Sequence, residues 1–435
     1  MRELLWHGNA SLAEYALLPY AAQPYQLNCV NVLNLNRFAL LALISLTGGC
    51  ASFSDKALPP AAEPAKAKPA ISKPAAPAAS APASTPAAPR AAAPAPAAPT
   101  DSQTRNLVLK LLPAKLKDKE GWADDLQSAF KALQIPPSIE NYCATVAIIE
   151  QESSFQANPP IPGLPAIVRR EIEQRRVKYS IPQSVVDWIL STTSRDGRSY
   201  QQRLNTLKTE KELSDLTEEI VASIPAGKKL FSNYNPVRTG GPMQVSVEFA
   251  ESHARVRPYP YPVNSNLRNE VFSRRGGLYF GSAILLDYPA PYDEMIYRFA
   301  DFNAGRYSSR NAAFQRALSQ LSGKQLAPDG DLLHYTNGNI APESSATQRA
   351  LLAISTTLQM SAAEIQHDLR LEKLSTFSRT LLYNRLFALA DRSGIQPRVF
   401  MPQINLKSPK FQRKLTTKWF ATRVQTRYQR CLQQR

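Results

Sequence analysis

PSIENYCATVAIIEQESSF, residues 137–155, reads as a helix whose apolar stripe ends on a carboxylate. Ser138 is placed to cap it and Glu140 falls in its first turn, where a negative charge suits the helix dipole. Ile139, Tyr142, Val146 and Ile149 share one face, and Glu152, three residues further on, continues that face. Glu150 is turned roughly 200° from Glu152 at ~100° per residue, so the two do not form a carboxylate pair. A carboxyl at the end of a buried stripe is desolvated, which favours its neutral form, the form a general acid needs near neutral pH. The alternative for an isolated E-S-x-F is an ordinary helix-end glutamate reaching solvent.

Outward from this helix the period stays helical. AIVRREIEQRRVKY, SVVDWILSTT, ELSDLTEEIVASI, GGLYFGSAILLDY, NAAFQRALSQL and STFSRTLLYNRLFALADR all carry it, and Ser361 with Glu364 forms a capping box. No run of strand alternation and no internal repeat stands out, so the class is mainly α.

Upstream the character changes. RFALLALISLTGGCAS, from Arg37, combines a positive charge, a short apolar stretch and small residues ending on Cys50. The apolar stretch is far short of the roughly 20 residues of a membrane span and fits a secretory signal. The small residues before Cys50 resemble a lipoprotein lipobox, implying palmitate-type lipidation of Cys50; a plain signal with a chance cysteine is the alternative. Residues 1–36 have no place in such a signal, which puts the expected translation start near 30–33. Ala51 after the cysteine implies, by the same resemblance, the outer membrane. In residues 57–100, 32 of 44 positions are Ala or Pro. That composition packs no core and makes a semi-rigid tether reaching at most roughly 130 Å at ~3.1 Å per residue.

The 435 residues carry a formal net charge of +17, and no acidic residue follows Asp391 while eleven Lys and Arg do. Beyond an export signal this argues against nucleic acid and for anionic envelope polymers, lipid phosphates or a plain solvated face. Of four cysteines, Cys143 and Cys431 are the pair left after processing, and either a bridge or two buried thiols fits. His7, His253, His334 and His367 form no H-E-x-x-H, there is no G-x-S-x-G and no phosphate loop, and no metal or cofactor is implied. ARVRPYPYPVNSN, 254–266, offers Arg255, Arg257, Tyr259 and Tyr261 either for stacking on sugars or as a proline-stiffened structural loop.

Two further motifs follow EQESSF: TGGPMQVS, Thr239–Ser246, a tight loop entering a helix, and FADFNAGR, Phe299–Arg306. The order E-S-x-F, G-x-M-Q, x-aromatic-N-A-G resembles the lysozyme-like lytic transglycosylases over roughly 130–320. That resemblance implies cleavage of the MurNAc–GlcNAc β-1,4 bond of peptidoglycan with a 1,6-anhydro end. Glu152 would act as acid and then base. Ser153, Met243 and Gln244 would line sugar subsites, and Phe302 and Asn303 would close the opposite wall. A single carboxylate suffices when the sugar's own 6-hydroxyl attacks; a two-carboxylate hydrolase would need another acid, for which Asp301 is the nearby candidate. Phe302 stands where the family has tyrosine, Pro242 where it has leucine, and Glu152 and Gly241 lie 89 positions apart, several times the usual interval.

The whole chain resembles the YaiW-like outer-membrane lipoproteins. The organisation expected is a leader over 1–49, the lipidated cysteine and tether over 50–100, and a lysozyme-like domain over 101–325 with a helical insert at about 160–235. A helical, basic C-terminal extension over 326–435 completes it. The expected partners are peptidoglycan glycan strands, the outer membrane through the lipid anchor, and a membrane-protein or anionic envelope partner through the insert or the basic tail. The rival expectation is a catalytically silent envelope protein that binds glycan or a membrane protein.

Overall fold

The helix of Ile139–Glu152 is the central element of the structure, a computed structural model describing residues 100–224, 235–263, 265–336, 339–394, 397–406 and 415–434. Cys50, the leader and the tether lie outside the described residues. The first helices are α1 (Asp101–Leu111), capped by Thr100 with Gln103 in a capping box, and α2 (Lys119–Leu133); the central helix is α3. Ser138 accepts a hydrogen bond from the Asn141 N–H, satisfying one of the donors left over at the start of α3. Ten of the fourteen residues of α3 are buried, so it is surrounded rather than laid on one face.

Four more helices follow: α4 (Leu164–Lys178), α5 (Gln183–Ser191), α6 (Tyr200–Asn205) and α7 (Glu210–Ser223). They fill the stretch expected as an insert, where Ile161, Leu164, Tyr200, Leu204, Leu213 and Leu216 form a small core together with Val237 and Phe272. A short hairpin comes next, β1 (Thr239–Gly240) paired antiparallel with β2 (Val245–Ser246), leading into α8 (Val247–Val256). Then come α9 (Leu267–Phe272), α10 (Arg274–Leu286), α11 (Met295–Ala304) and α12 (Ser308–Ser322). The main core gathers α1, α2, α3, α8, α10 and α11.

The stretch 326–435, expected as one C-terminal extension, divides between two cores. Helices α13 (Ala346–Ala353), α14 (Ser355–Leu358), α15 (Ala362–Leu369) and α16 (Leu381–Arg392) pack with α12 around Phe314, Phe377 and Leu386. The last helix, α17 (Thr417–Leu432), returns to the main core, where Phe420, Ala421, Val424 and Tyr428 pack against α3 and α11. Lys418 and Arg423 are exposed, while Arg427 and Arg430 reach Glu150 of α3 at the edge of that seam, so the tail combines a core helix with a charged surface. Two further short strand pairs, β3 (Tyr335–Thr336) with β4 (Asn339–Ile340) and β5 (Asn405–Leu406) with β6 (Leu415–Thr416), complete a mainly α fold. Among the described residues no helix is long and apolar enough to cross a membrane.

Candidate functional site

Glu152 ends α3 with only 2 % of its surface exposed, inside the main core's boundary. The chain leaves it abruptly. Ser154 (φ 50°) and Phe155 (φ 61°) are consecutive non-glycine residues in the left-handed region, each disfavoured by about 1 kcal/mol or more. Phe155 is held there by an edge-to-face contact with Trp122 at 5.3 Å between ring centroids. Ser153 is buried, its hydroxyl donating to the Ile149 carbonyl (3.1 Å) and accepting from the Gln156 N–H (3.3 Å). Glu150 points elsewhere: its carboxylate accepts from Arg430 of α17 at 2.5 and 2.6 Å. The local periodicity separates the two glutamates, and the partner of Glu150 comes from 280 residues downstream.

The GGPMQ segment is the hairpin loop between β1 and β2. Gly241 has φ +75°, and a Cβ there would sit 2.1 Å from the Val271 carbonyl oxygen, so only glycine fits this turn. Met243 is fully buried against Gly281 of α10, where a Cβ would meet the Met243 sulfur at 2.4 Å. Gln244, also left-handed (φ 51°), is buried with its amide occupied. Its Nε2 donates to Glu210 Oε2 (3.3 Å), and its Oε1 accepts from the Thr239 hydroxyl (3.4 Å). Glu210 is the first residue of α7, so the insert places a second buried carboxylate on this motif. Sequence reasoning missed it. The Thr209/Glu212 capping box marks where α7 begins, but nothing in the local pattern says that its first turn meets residue 244.

The third motif closes α11. Phe302 lies in the same apolar cluster as Met243, Ile149 and Phe155. Asn303 is buried, its Oδ1 accepting from the Thr417 hydroxyl at the start of α17 (2.9 Å), while its Nδ2 finds no hydrogen-bond partner among the described residues. An unmet buried donor of this kind is costly, by roughly 1–3 kcal/mol, unless something occupies it.

Asp301 does not serve as a second acid. Its carboxylate accepts from the backbone N–H groups of Tyr307 (2.8 Å) and Ser309 (2.7 Å) and from the hydroxyls of Tyr288 (3.2 Å) and Tyr292. Burial pushes its carboxyl up to about 7, and those donors pull the other way. With four donors around it, Asp301 anchors the start of α12 and has no face left for a substrate. Tyr259 and Arg257 of the 254–266 stretch are engaged by the fold. Tyr259 donates to Glu270 (2.8 Å) and stacks on Phe280, and Arg257 pairs with Asp287 (2.6 Å).

Cys143 of α3 and Cys431 of α17 form a disulfide. Together with the Thr417–Asn303 bond it ties the C-terminal helix to both the Glu152 helix and the Asn303 helix.

Comparison with known proteins places these residues in a family. The DUF1615 family, described as a protein of unknown function, matches residues 115–434. The chain is 45% identical over 331 residues to the uncharacterized protein YaiW of Escherichia coli (strain K12), covering 76% of this chain and 89% of that one. No solved structure matches.

Proposed function

This chain belongs to the DUF1615 family, with a YaiW-like protein among its relatives, and from that premise we propose that it is an envelope lipoprotein acting on peptidoglycan glycan strands as a lytic transglycosylase. The observation that carries the reading is Glu152: one buried carboxylate at a helix end, followed at once by a strained left-handed turn. Strain of this kind clusters where a side chain has to be held in one place for chemistry. The E-S-x-F, G-x-M-Q and F-N-A-G segments share one core in a mainly α domain, which supports a lysozyme-like arrangement.

In this reading neutral Glu152 protonates the glycosidic oxygen as the C1–O bond of the MurNAc unit breaks. The sugar's own 6-hydroxyl then closes on C1 and returns its proton to Glu152, so no water is consumed and no second carboxylate is required. Asn303, with its unmet Nδ2 donor, is suited to hold a sugar oxygen. Cys50 is the proposed lipidation site and the outer membrane the proposed location.

A second reading has its own observation. Gln244 is held by Glu210, and the side chains of Glu152, Ser153, Phe155, Met243, Gln244, Phe302 and Asn303 are all buried. A silent envelope protein that keeps this site closed and binds glycan or a membrane protein through other surfaces would look like this. Incubating the purified chain with peptidoglycan sacculi and analysing the soluble fraction by mass spectrometry separates the two. Release of anhydro-muropeptides by the wild type and none by Glu152→Gln supports the enzyme. Sacculus binding without any release supports the silent protein, and equal release by Glu152→Gln removes Glu152 from its role.

A further inference from the structure

The insert ends in a tip that the folded core does not use. Helix α5 buries none of its nine residues. Trp188 is 70 % exposed, and Val177 and Tyr179 at the end of α4 and Val185, one turn before Trp188 on α5, are exposed too. This is not a loose loop. Ser180 takes a left-handed conformation, and the Ser180 and Ile181 N–H groups donate to the carbonyls of Val177 (3.2 Å) and Arg176 (2.9 Å), closing the end of α4. The Arg176 guanidinium braces the same turn by donating to the Ile181 carbonyl (3.3 Å). Leu190, on the other side of α5, packs against the insert's small core. The tip is thus held in shape while it presents two aromatic rings and two valines to solvent, the kind of apolar patch that marks an interaction surface.

Charge selects the partner. Of the acids nearest the tip, Glu171 pairs with Arg175 (2.8 Å) and Glu173 with Arg176 (2.6 Å), while Asp187 accepts from the neutral Gln183 amide (2.8 Å) and keeps its charge. Arg170 and Lys178 have no carboxylate partner among the described residues, and the Lys178 ammonium lies 5.4 Å from the Tyr179 ring centroid. Over residues 169–188 five Lys and Arg stand against three acids, and Trp and Tyr rings beside an excess of cations are the composition of the lipid–water interface. There the rings sit at headgroup level and the cations meet phosphates. A protein groove deep enough to bury Tyr179 would have to desolvate the Lys178 ammonium beside its ring, whereas a headgroup layer keeps that ammonium hydrated and paired. We propose that the α4–α5 tip is a membrane-docking element that inserts Trp188 and Tyr179 shallowly into an anionic lipid surface.

The test uses the full-length chain carrying Cys50→Ser, so that no acyl group contributes to binding. It is mixed with phosphatidylglycerol–phosphatidylcholine vesicles or with phosphatidylcholine alone, in each case with and without brominated acyl chains. The expected result is a blue shift and bromine quenching of Trp188 with the anionic vesicles only. The Trp188 contribution is read as the difference from Trp188→Phe, which keeps Trp6, Trp122 and Trp419 and should lose the anionic-vesicle response, with the melting temperature nearly unchanged because the side chain is mostly exposed. Arg170→Gln and Lys178→Gln should each weaken vesicle binding roughly fivefold, with salt weakening the wild type in the same way. Trp188 emission that ignores anionic vesicles overturns the proposal. So does a blue shift that grows with protein concentration without lipid, which would assign the tip to a second copy of the chain. Equal quenching in neutral vesicles, or a photocrosslinker at position 188 that captures protein and no lipid, also overturns it.

Discussion

Removing the Cys143–Cys431 bond should cost more stability than any surface change in this molecule. The two cysteines are 288 residues apart. In the chain-entropy model a cross-link closing a loop of that length restricts the unfolded chain by up to about 5–6 kcal/mol at 25 °C. The bond also joins helices that hold each other by other means. Phe420 and Val424 are buried in the main core, Tyr428 meets Phe299 at 5.6 Å, and Arg430 pairs with Glu150. Because α17 stays docked without the bond, the loss should come mostly from the unfolded state, and a value of about 2–5 kcal/mol is expected. For a chain of this size that corresponds to a fall in melting temperature of roughly 3–7 °C. The perturbation is Cys143→Ala with Cys431→Ala, since either change alone leaves a buried free thiol. Urea unfolding followed by circular dichroism gives the free energy, and reduction of the wild type should reproduce it. A double variant that melts within about 1 °C of the oxidised wild type would refute the reasoning. So would a loss confined to faster amide exchange in α17 with the global transition unmoved.

Three other outcomes are expected. Glu150→Gln should change stability by less than about 1 kcal/mol, because its pair with Arg430 is at the surface; a larger loss in thermal unfolding would mean that the pair is a structural clamp. Gly281→Ala should destabilise by about 1–3 kcal/mol despite alanine's better helix propensity, because its Cβ would meet Met243, and adding Met243→Ala should recover part of the loss in a double-mutant cycle. Burial holds the His253 imidazole down to about 4, with Arg306 and Arg257 adding to it. A depressed histidine contributes stability above its unfolded pKa of about 6.5 and loses it as pH falls toward 4. Asp301 has the opposite sign: its raised pKa favours the fold below its unfolded value and that contribution fades as pH rises through about 7. The two offset each other in the wild type, so His253→Gln should leave a melting temperature that falls steadily from pH 4 to 7; a profile parallel to wild type would refute the assignment.

What the sequence determined by itself is what arises within a few turns of backbone. The caps at Ser138 and Ser361, the helical class and the separation of Glu152 from Glu150 follow from spacing alone, because i, i+3 and i+4 neighbours share a face whatever the rest of the chain does. Family likeness to a YaiW-type protein was legible too, since it depends on residue identity and order rather than on contact. Tertiary structure decided everything that joins distant segments. Asp301, the candidate acid, turned out to be surrounded by donors from residues 288 to 309, while Glu210, in a helix read only as insert, reached Gln244. A carboxylate's role depends on which donors converge on it, and convergence is a property of packing that no periodicity encodes. The basic tail shows the same limit: its charges are countable in the sequence. That its apolar face packs on the helix that Glu152 ends, with Thr417 on Asn303 and Cys431 on Cys143, depends on a chain that folds back over 114 and 288 residues. Contacts at that range cost loop entropy and appear only when the whole apolar surface is buried at once.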